Sequence, residues 1–161
     1  MARAEPGTQF VGIEVHRPGV GRLLSQALGL GIRNLRVYSE DAVDVLSQCF
    51  APASLDAVHI FFPDPWHKKR HHKRRLIQPK FVGDLAHLMR EDGYLHLATD
   101  WTPYAEHMFD VLEAEPLLIN AGGVPRRAVA RPDYRPVTKF ELRGERLGHA
   151  VQDLIYLRAS S

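Results

Sequence analysis

Apolar and polar positions along the chain fall into short strand-like runs separated by longer stretches of helical spacing. Phe10-Val11-Gly12-Ile13-Glu14-Val15 is β-rich, and from Pro18 to Leu30 the residues Leu23, Leu24, Ala27 and Leu28 recur at helical intervals. Leu35 to Tyr38 reads as a second strand, followed by a helix from Asp41, placed as its cap, to Phe50. Ala57 to Phe62 reads as a buried strand stopped by Pro63. A helix over Pro79 to Arg90 puts Phe81, Val82, Leu85, Leu88 and Met89 on one face. Asp92-Gly93 then turns into a strand, Tyr94 to Thr99, and a helix follows over Pro103 to Ala114. Residues 122–136, rich in Gly, Pro and Arg, read as a loop. Val137 to Arg143 and Ala150 to Leu157 read as two closing strands, an antiparallel pair.

Strand alternating with helix four times predicts βαβ units: a doubly wound α/β fold, mostly parallel, with helices on both faces of the sheet. With 161 residues, 45% hydrophobic and 25% charged, the chain fits one globular domain over 1–161 and not a disordered one. No apolar run is long enough to span a bilayer, and the start lacks a signal-peptide core. The single cysteine, Cys49, excludes an internal disulfide and a Cys-rich zinc site, and its apolar setting reads as core. A reducing, cytoplasmic location is the expectation.

Charge sharpens the picture. The net charge is only +2, yet residues 66–75 hold six of the 21 Lys and Arg and no acid. That decapeptide more than accounts for the excess over the 19 Asp and Glu. A patch so local implies a specific polyanionic partner.

In doubly wound sheets, ligands bind outside the carboxyl ends of the strands. Those ends here carry Glu14, then Glu40 and Asp41, then Pro63-Asp64-Pro65-Trp66, then Thr99-Asp100-Trp101. A single acid at a strand end is most often a helix cap or a solvated loop residue. Four along one edge suit the donors of ribose hydroxyls or of a base edge. Around Asp64, two prolines lock the backbone and set one carboxylate against a large aromatic surface. By itself that is a rigid loop with a core Trp. With the basic run directly after it, it suggests one base held in a pocket while phosphates lie along the arm.

Two look-alikes carry less. Gly19-Val20-Gly21 mimics a dinucleotide loop, but Leu24 stands where a third glycine is needed, and Pro18-Gly19 suits a plain helix start. His67, His71 and His72 with Asp64 can be drawn as a metal site, but six neighbouring cations oppose a divalent ion; no metal is expected. His59 and His96 read as core residues of strands.

The blocks Gly12-Ile13-Glu14-Val15-His16, Phe61-Phe62-Pro63-Asp64-Pro65-Trp66-His67-Lys68, Lys73-Arg74-Arg75, Ala98-Thr99-Asp100-Trp101 and Arg135-Pro136-Val137-Thr138-Lys139-Phe140-Glu141 resemble the bacterial tRNA (guanine-N7)-methyltransferase family. The resemblance runs from Phe10 to the C-terminus. It implies a class I methyltransferase (Rossmann-like) fold, S-adenosylmethionine (SAM) as cofactor, and N7 of guanine 46 in the tRNA variable loop as target. Glu14 would hold the cofactor ribose and Asp41 lie at its adenine end. Asp64 would sit between cofactor and guanine as the principal catalytic residue. Lys68, Asp100 and the stretch Thr138, Lys139, Phe140 and Glu141 would contact substrate, and Arg70, His71, His72, Lys73, Arg74 and Arg75 would grip RNA.

One departure stands out. The family's glycine-rich cofactor loop, after the first strand, should precede Glu14 by roughly 20 residues, but only 13 residues lie upstream and Gly7 alone precedes Phe10. The expectation is an N-terminally shortened domain lacking the first, central strand. Two other readings stay open: a non-enzymatic RNA-binding remnant, and an amino-group methyltransferase acting on another base through a similar Pro-rich acidic loop. Monomer and homodimer are not distinguished.

Overall fold

Proline and glycine mark out the first helix: Pro18 lies in the opening turn of α1 (Arg17–Gly29), and Gly31 follows its end at φ +65°, a left-handed conformation that suits glycine. The computed structural model describes residues 1–138, 141 and 150–160. These form two units, 1–50 and 51–161.

In the first unit, β1 (Phe10–Ile13) and β2 (Leu35–Tyr38) pair in parallel, Phe10 opposite Leu35 and Ile13 opposite Tyr38. Helix α1 connects them, and α2 (Ala42–Cys49) follows β2. Asp41 caps α2 as expected, accepting the Val43 N–H at 2.8 Å. Asn34 ties down the first residues by donating to the carbonyls of Ala2, Glu5 and Thr8. The apolar stripe of α1 is only partly covered. Ala27 is buried, whereas Leu24 and Leu28 are exposed, because a two-strand ribbon is too narrow to cover the whole stripe. Cys49 is exposed too, which corrects its core assignment: it ends α2, whose buried residue is Val45 one turn earlier.

The second unit holds a four-stranded sheet in the order β3-β4-β6-β5. β3 (Leu55–Phe61) runs parallel to β4 (Met89–Thr99). β6 (Gln152–Arg158) is antiparallel both to β4 and to the short β5 (Leu118–Asn120). Between β3 and β4 come a 3-10 helix, Lys69–Arg74, and α3 (Pro79–Leu88); α4 (Thr102–Glu113) follows β4. The predicted helical face is the core: Phe81, Val82, Leu85 and Met89 are buried with Leu95, Leu97, Tyr104, Met108, Leu112, Leu154 and Tyr156. Each fully buried aliphatic side chain there contributes about 1.5–3 kcal/mol.

Two differences from the sequence reading have local causes. Asp92-Gly93 is not a turn before the strand but an irregularity inside it, where the register against β3 shifts between Leu55 and Ala57. Asp92 takes φ +62°. A Cβ on Gly93 would lie 2.9 Å from Arg90 O of its own bulged strand and 3.0 Å from Asp56 O of β3. The second difference concerns the closing strands. β6 has β5 and β4 as antiparallel neighbours, not a strand over 137–143. Val137 and Thr138 lie outside any strand and Glu141 is helical; residues 139, 140, 142 and 143 lie outside the described residues. The pattern Thr138-x-x-Glu141 explains this. Thr138 Oγ1 accepts the Glu141 N–H at 3.2 Å and Glu141 Oε2 accepts the Thr138 N–H at 3.4 Å, the reciprocal pair that opens a helix.

Candidate active site

Four strand ends carry the acids singled out above. In the first unit, Glu14 follows β1 and Asp41 follows β2. Glu14 Oε1 accepts the His16 N–H at 2.8 Å, which shapes the turn into α1, and Asp41 Oδ1 is the α2 cap. Each therefore has one structural oxygen and one that accepts no hydrogen bond among the described residues, on an exposed side chain. Gly19 belongs to α1, and a Cβ there would come within 3.5 Å of the Glu14 side chain. It acts as a helix residue that leaves room for Glu14.

In the second unit, the segment after β3 lines a cavity of about 420 Å³, formed by Phe62, Pro63, Asp64, Pro65, His67 and Asp100. Both strand-end acids of this unit therefore face one space. The backbone entering and leaving it is unusual: Phe62 has φ +52° and Trp66 φ +44°, left-handed values that cost a bulky residue. Asp64 Oδ1 accepts the Trp66 N–H at 2.9 Å. Pro63 and Pro65 restrict the backbone on either side, so the remaining acceptor capacity of the carboxylate has a fixed direction. Across the cavity, Thr99 Oγ1 accepts the Trp101 N–H at 3.2 Å, and the Trp101 ring meets His67 edge-on at 4.5 Å.

The basic arm divides. Lys68, Arg70, Lys73 and Arg74 are exposed, and His71 and His72 half-buried. The Arg74 guanidinium lies 5.1 Å from the Trp66 ring centroid, and His71 meets the same indole at 5.7 Å. Arg75 departs from its expected role as an exposed RNA contact. It is 4% exposed, and its Nε donates to Pro65 O at 2.9 Å. The 3-10 turn rotates it inward, over Tyr104.

A buried polar network joins Arg135, His96 and Asp153, none of them given a site role from sequence, to Glu141, which was expected to contact substrate but is 5% exposed because its carboxylate is turned inward onto Arg135. Arg135 donates through both Nη atoms to Glu141 at 2.8 Å, and through Nη2 to Asp153 Oδ2 at 3.0 Å. Its Nε lies 2.6 Å from Asp153 Oδ1 but makes no aligned hydrogen bond. His96 Nε2 lies 2.8 Å from the same Oδ1, the carboxylate accepting, and the Tyr134 hydroxyl lies 3.0 Å from Nδ1. Burial alone would raise the Asp153 pKa, but the hydrogen bonds from His96 and Arg135 outweigh it and hold the carboxyl below its usual range. The Arg135 hydrogen bonds do the same for Glu141. Arg135 also lies 6.0 and 5.8 Å from the rings of Phe61 and Phe62, directly ahead of Asp64. The Thr138-x-x-Glu141 spacing could have exposed the helix start, whereas nothing in sequence separates Arg135 from the other arginines of its loop. Of the stretch 138–141, Thr138 and Glu141 are placed here; Lys139 and Phe140 lie outside the described residues. Among the described residues no group of three or more His, Cys, Asp or Glu is arranged to hold a metal, and no helix is long and apolar enough to cross a membrane.

A parallel α/β core, acids at strand ends and antiparallel closing strands define the class I methyltransferase fold. A SAM-dependent O-methyltransferase from Thermotoga maritima superimposes with TM-score 0.57 at 15% identity, over 95% of this chain and 51% of that one. The chain belongs to the family described as "Putative methyltransferase", whose profile matches residues 1–154. More particularly, it is 58% identical over 158 residues to the tRNA (guanine-N(7)-)-methyltransferase of Pseudomonas aeruginosa (strain UCBPP-PA14), covering 98% of this chain and 64% of that protein. It is 55% identical over 161 residues to the protein of that name from Burkholderia vietnamiensis, covering 100% of this chain and 62% of the relative. The chain thus spans under two thirds of the length of these relatives.

Proposed function

We propose that this chain serves SAM-dependent methylation of guanine N7 in tRNA, at position 46 of the variable loop, in the cytoplasm, and that residues 1–161 act as one methyltransferase domain. The observation that carries the reading is the Asp64 carboxylate, locked between two prolines at a cavity beside an exposed basic arm. The names of the similar proteins support it.

The cofactor's donors fit the first unit. Ribose hydroxyls and an adenine amino group are hydrogen-bond donors, and Glu14 and Asp41 each keep one carboxylate oxygen without a partner among the described residues, at neighbouring strand ends. When bound, SAM supplies an electrophilic methyl group on a sulfonium. Guanine N7 carries an in-plane lone pair and no proton, so no strong base is needed, and the chain's task is to hold the base still. Asp64 does this by accepting from the guanine N1–H and N2–H₂, on the edge opposite N7. Its charge also favours the positive charge that develops on the ring. Adenine offers no such donor pair. Lys68 and Asp100 complete the substrate contacts with the 138–141 stretch, in which Glu141 holds Thr138 from beneath. Arg70, His71, His72, Lys73 and Arg74 follow the phosphates.

The test is transfer of labelled methyl from SAM to unmodified tRNA, with the modified atom identified. Label at guanine N7 is expected, with Asp64→Ala slowing turnover about a hundredfold or more. Near-normal turnover in Asp64→Ala removes the proposed role. Label on an exocyclic amino group, or tRNA binding without transfer, replaces the reading by an amino-group methyltransferase or by an RNA-binding protein.

A further inference from the structure

We propose that Arg75 is a positioning residue of the Asp64 cavity and not a phosphate contact: it grips the Pro65–Trp66 peptide and braces it against α4, the helix that follows Asp100. The proposal rests on the role given to Asp64 above.

A guanidinium taken out of water costs several kcal/mol unless its donors are used. Arg74, next in sequence, is exposed, whereas Arg75 is buried. Its contacts are specific. Nε donates to Pro65 O at 2.9 Å, Nη2 lies 3.0 Å from His72 Nε2, and the guanidinium sits 4.7 Å from the Tyr104 ring centroid. Tyr104 is in the first turn of α4, three residues after Trp101, and its hydroxyl accepts the Ile77 N–H at 3.4 Å. Burial lowers the Arg75 pKa and raises that of Tyr104, and Asp64 is among the charges acting on Tyr104.

The gripped carbonyl is the telling one. Pro65 O and the Trp66 N–H belong to one planar peptide, so fixing the carbonyl fixes the N–H. That N–H is the donor that orients Asp64 Oδ1. A hydrogen bond on the carbonyl also polarises the peptide and strengthens its N–H as a donor. The same peptide leads into Trp66 at φ +44°, a conformation that persists only where tertiary contacts hold it. Arg75 supplies such a contact from the far end of the basic arm. The arm therefore has two parts: exposed cations at 70–74, and an inward anchor that couples the arm to the carboxylate.

The experiment compares Arg75→Met, Arg75→Lys and Arg74→Gln in this chain by three readings. The first is tRNA affinity against salt concentration, the second methyl transfer, and the third Trp66 emission in a Trp101→Phe background, where Trp66 is the remaining indole. Arg75→Met is expected to lower kcat about a hundredfold with KM for tRNA unchanged, and Arg75→Lys about tenfold. Both shift Trp66 emission and leave the salt slope as in the parent, whereas Arg74→Gln lowers that slope by about one. If Arg75→Met does not fold, Arg75→Lys decides. An Arg75→Lys chain with unchanged Trp66 emission, or a salt slope reduced in Arg75→Met as in Arg74→Gln, overturns the proposal. If the parent neither binds nor methylates tRNA, the proposed function fails, while Trp66 emission still decides whether Arg75 holds the loop.

Discussion

Replacing Arg135 by methionine removes a cation that faces two buried carboxylates, Glu141 and Asp153. Glu141 loses both of its 2.8 Å hydrogen bonds; Asp153 loses the 3.0 Å bond and the 2.6 Å charge contact, and keeps His96. Deleting one partner of a buried ion pair costs about 3–5 kcal/mol, because the survivor stays buried and uncompensated. Against a total stability of about 5–15 kcal/mol, that brings the chain close to its unfolding threshold. The loss has a pH signature. In the parent, Arg135 hydrogen bonds hold Glu141 low, and those from His96 and Arg135 hold Asp153 low against its burial. Their stabilisation is complete above the unfolded carboxylate range and is lost as pH falls through the lowered folded values. In Arg135→Met, burial acts with less opposition and pushes both groups up, so they take protons at higher pH and the deficit shrinks on acidification. Urea unfolding of parent and variant at about pH 7 and about pH 4.5 measures this. A deficit under about 1 kcal/mol, or one equal at both pH values, refutes the account of the network.

The two remaining predictions concern β4 and its neighbours. Gly93→Ala puts a methyl within 3.0 Å of two backbone carbonyl oxygens that cannot swing aside; a stability loss of about 1–3 kcal/mol is expected, and a neutral result in thermal unfolding shows that the close approach of β4 to β3 is not obligatory. His59, its pKa lowered from 6.5 to about 4 by burial first and by His96 second, stays neutral in the folded protein while its unfolded form protonates. Stability therefore falls as pH drops from 6.5 towards 4 and is indifferent to His59 above 6.5. His59→Phe flattens that limb in urea unfolding, and an unchanged pH dependence removes His59 as its source.

Much of this was legible because it is local. Hydrophobic spacing placed α2, α3, α4 and the strands at 10–13, 35–38 and 55–61 within a few residues, found β4 from Tyr94 to Thr99 but not its start at Met89, and Asp41 declared itself as a cap. Residue type and position also picked out Asp64 and the run of cations after it. The misreadings were of two kinds. Val137–Arg143 alternates like a strand, and its helix-opening signal, Thr138-x-x-Glu141, was outweighed. β5 is only three residues long, too short to show a period.

By itself, then, the order of residues determined which segments are helix or strand, where acids meet strand ends, and where positive charge gathers, since these depend on side-chain spacing and on neighbours a few positions away. Only the tertiary structure decided that Arg75 turns inward while Arg74 stays in solvent, and that Arg135 reaches Asp153, 18 positions on. It also decided that Cys49 is exposed. An arginine has the same charge and reach on either face of a turn. Its role is set by whether the fold puts acceptors around it and removes the water, and those acceptors come from strands and helices distant in sequence.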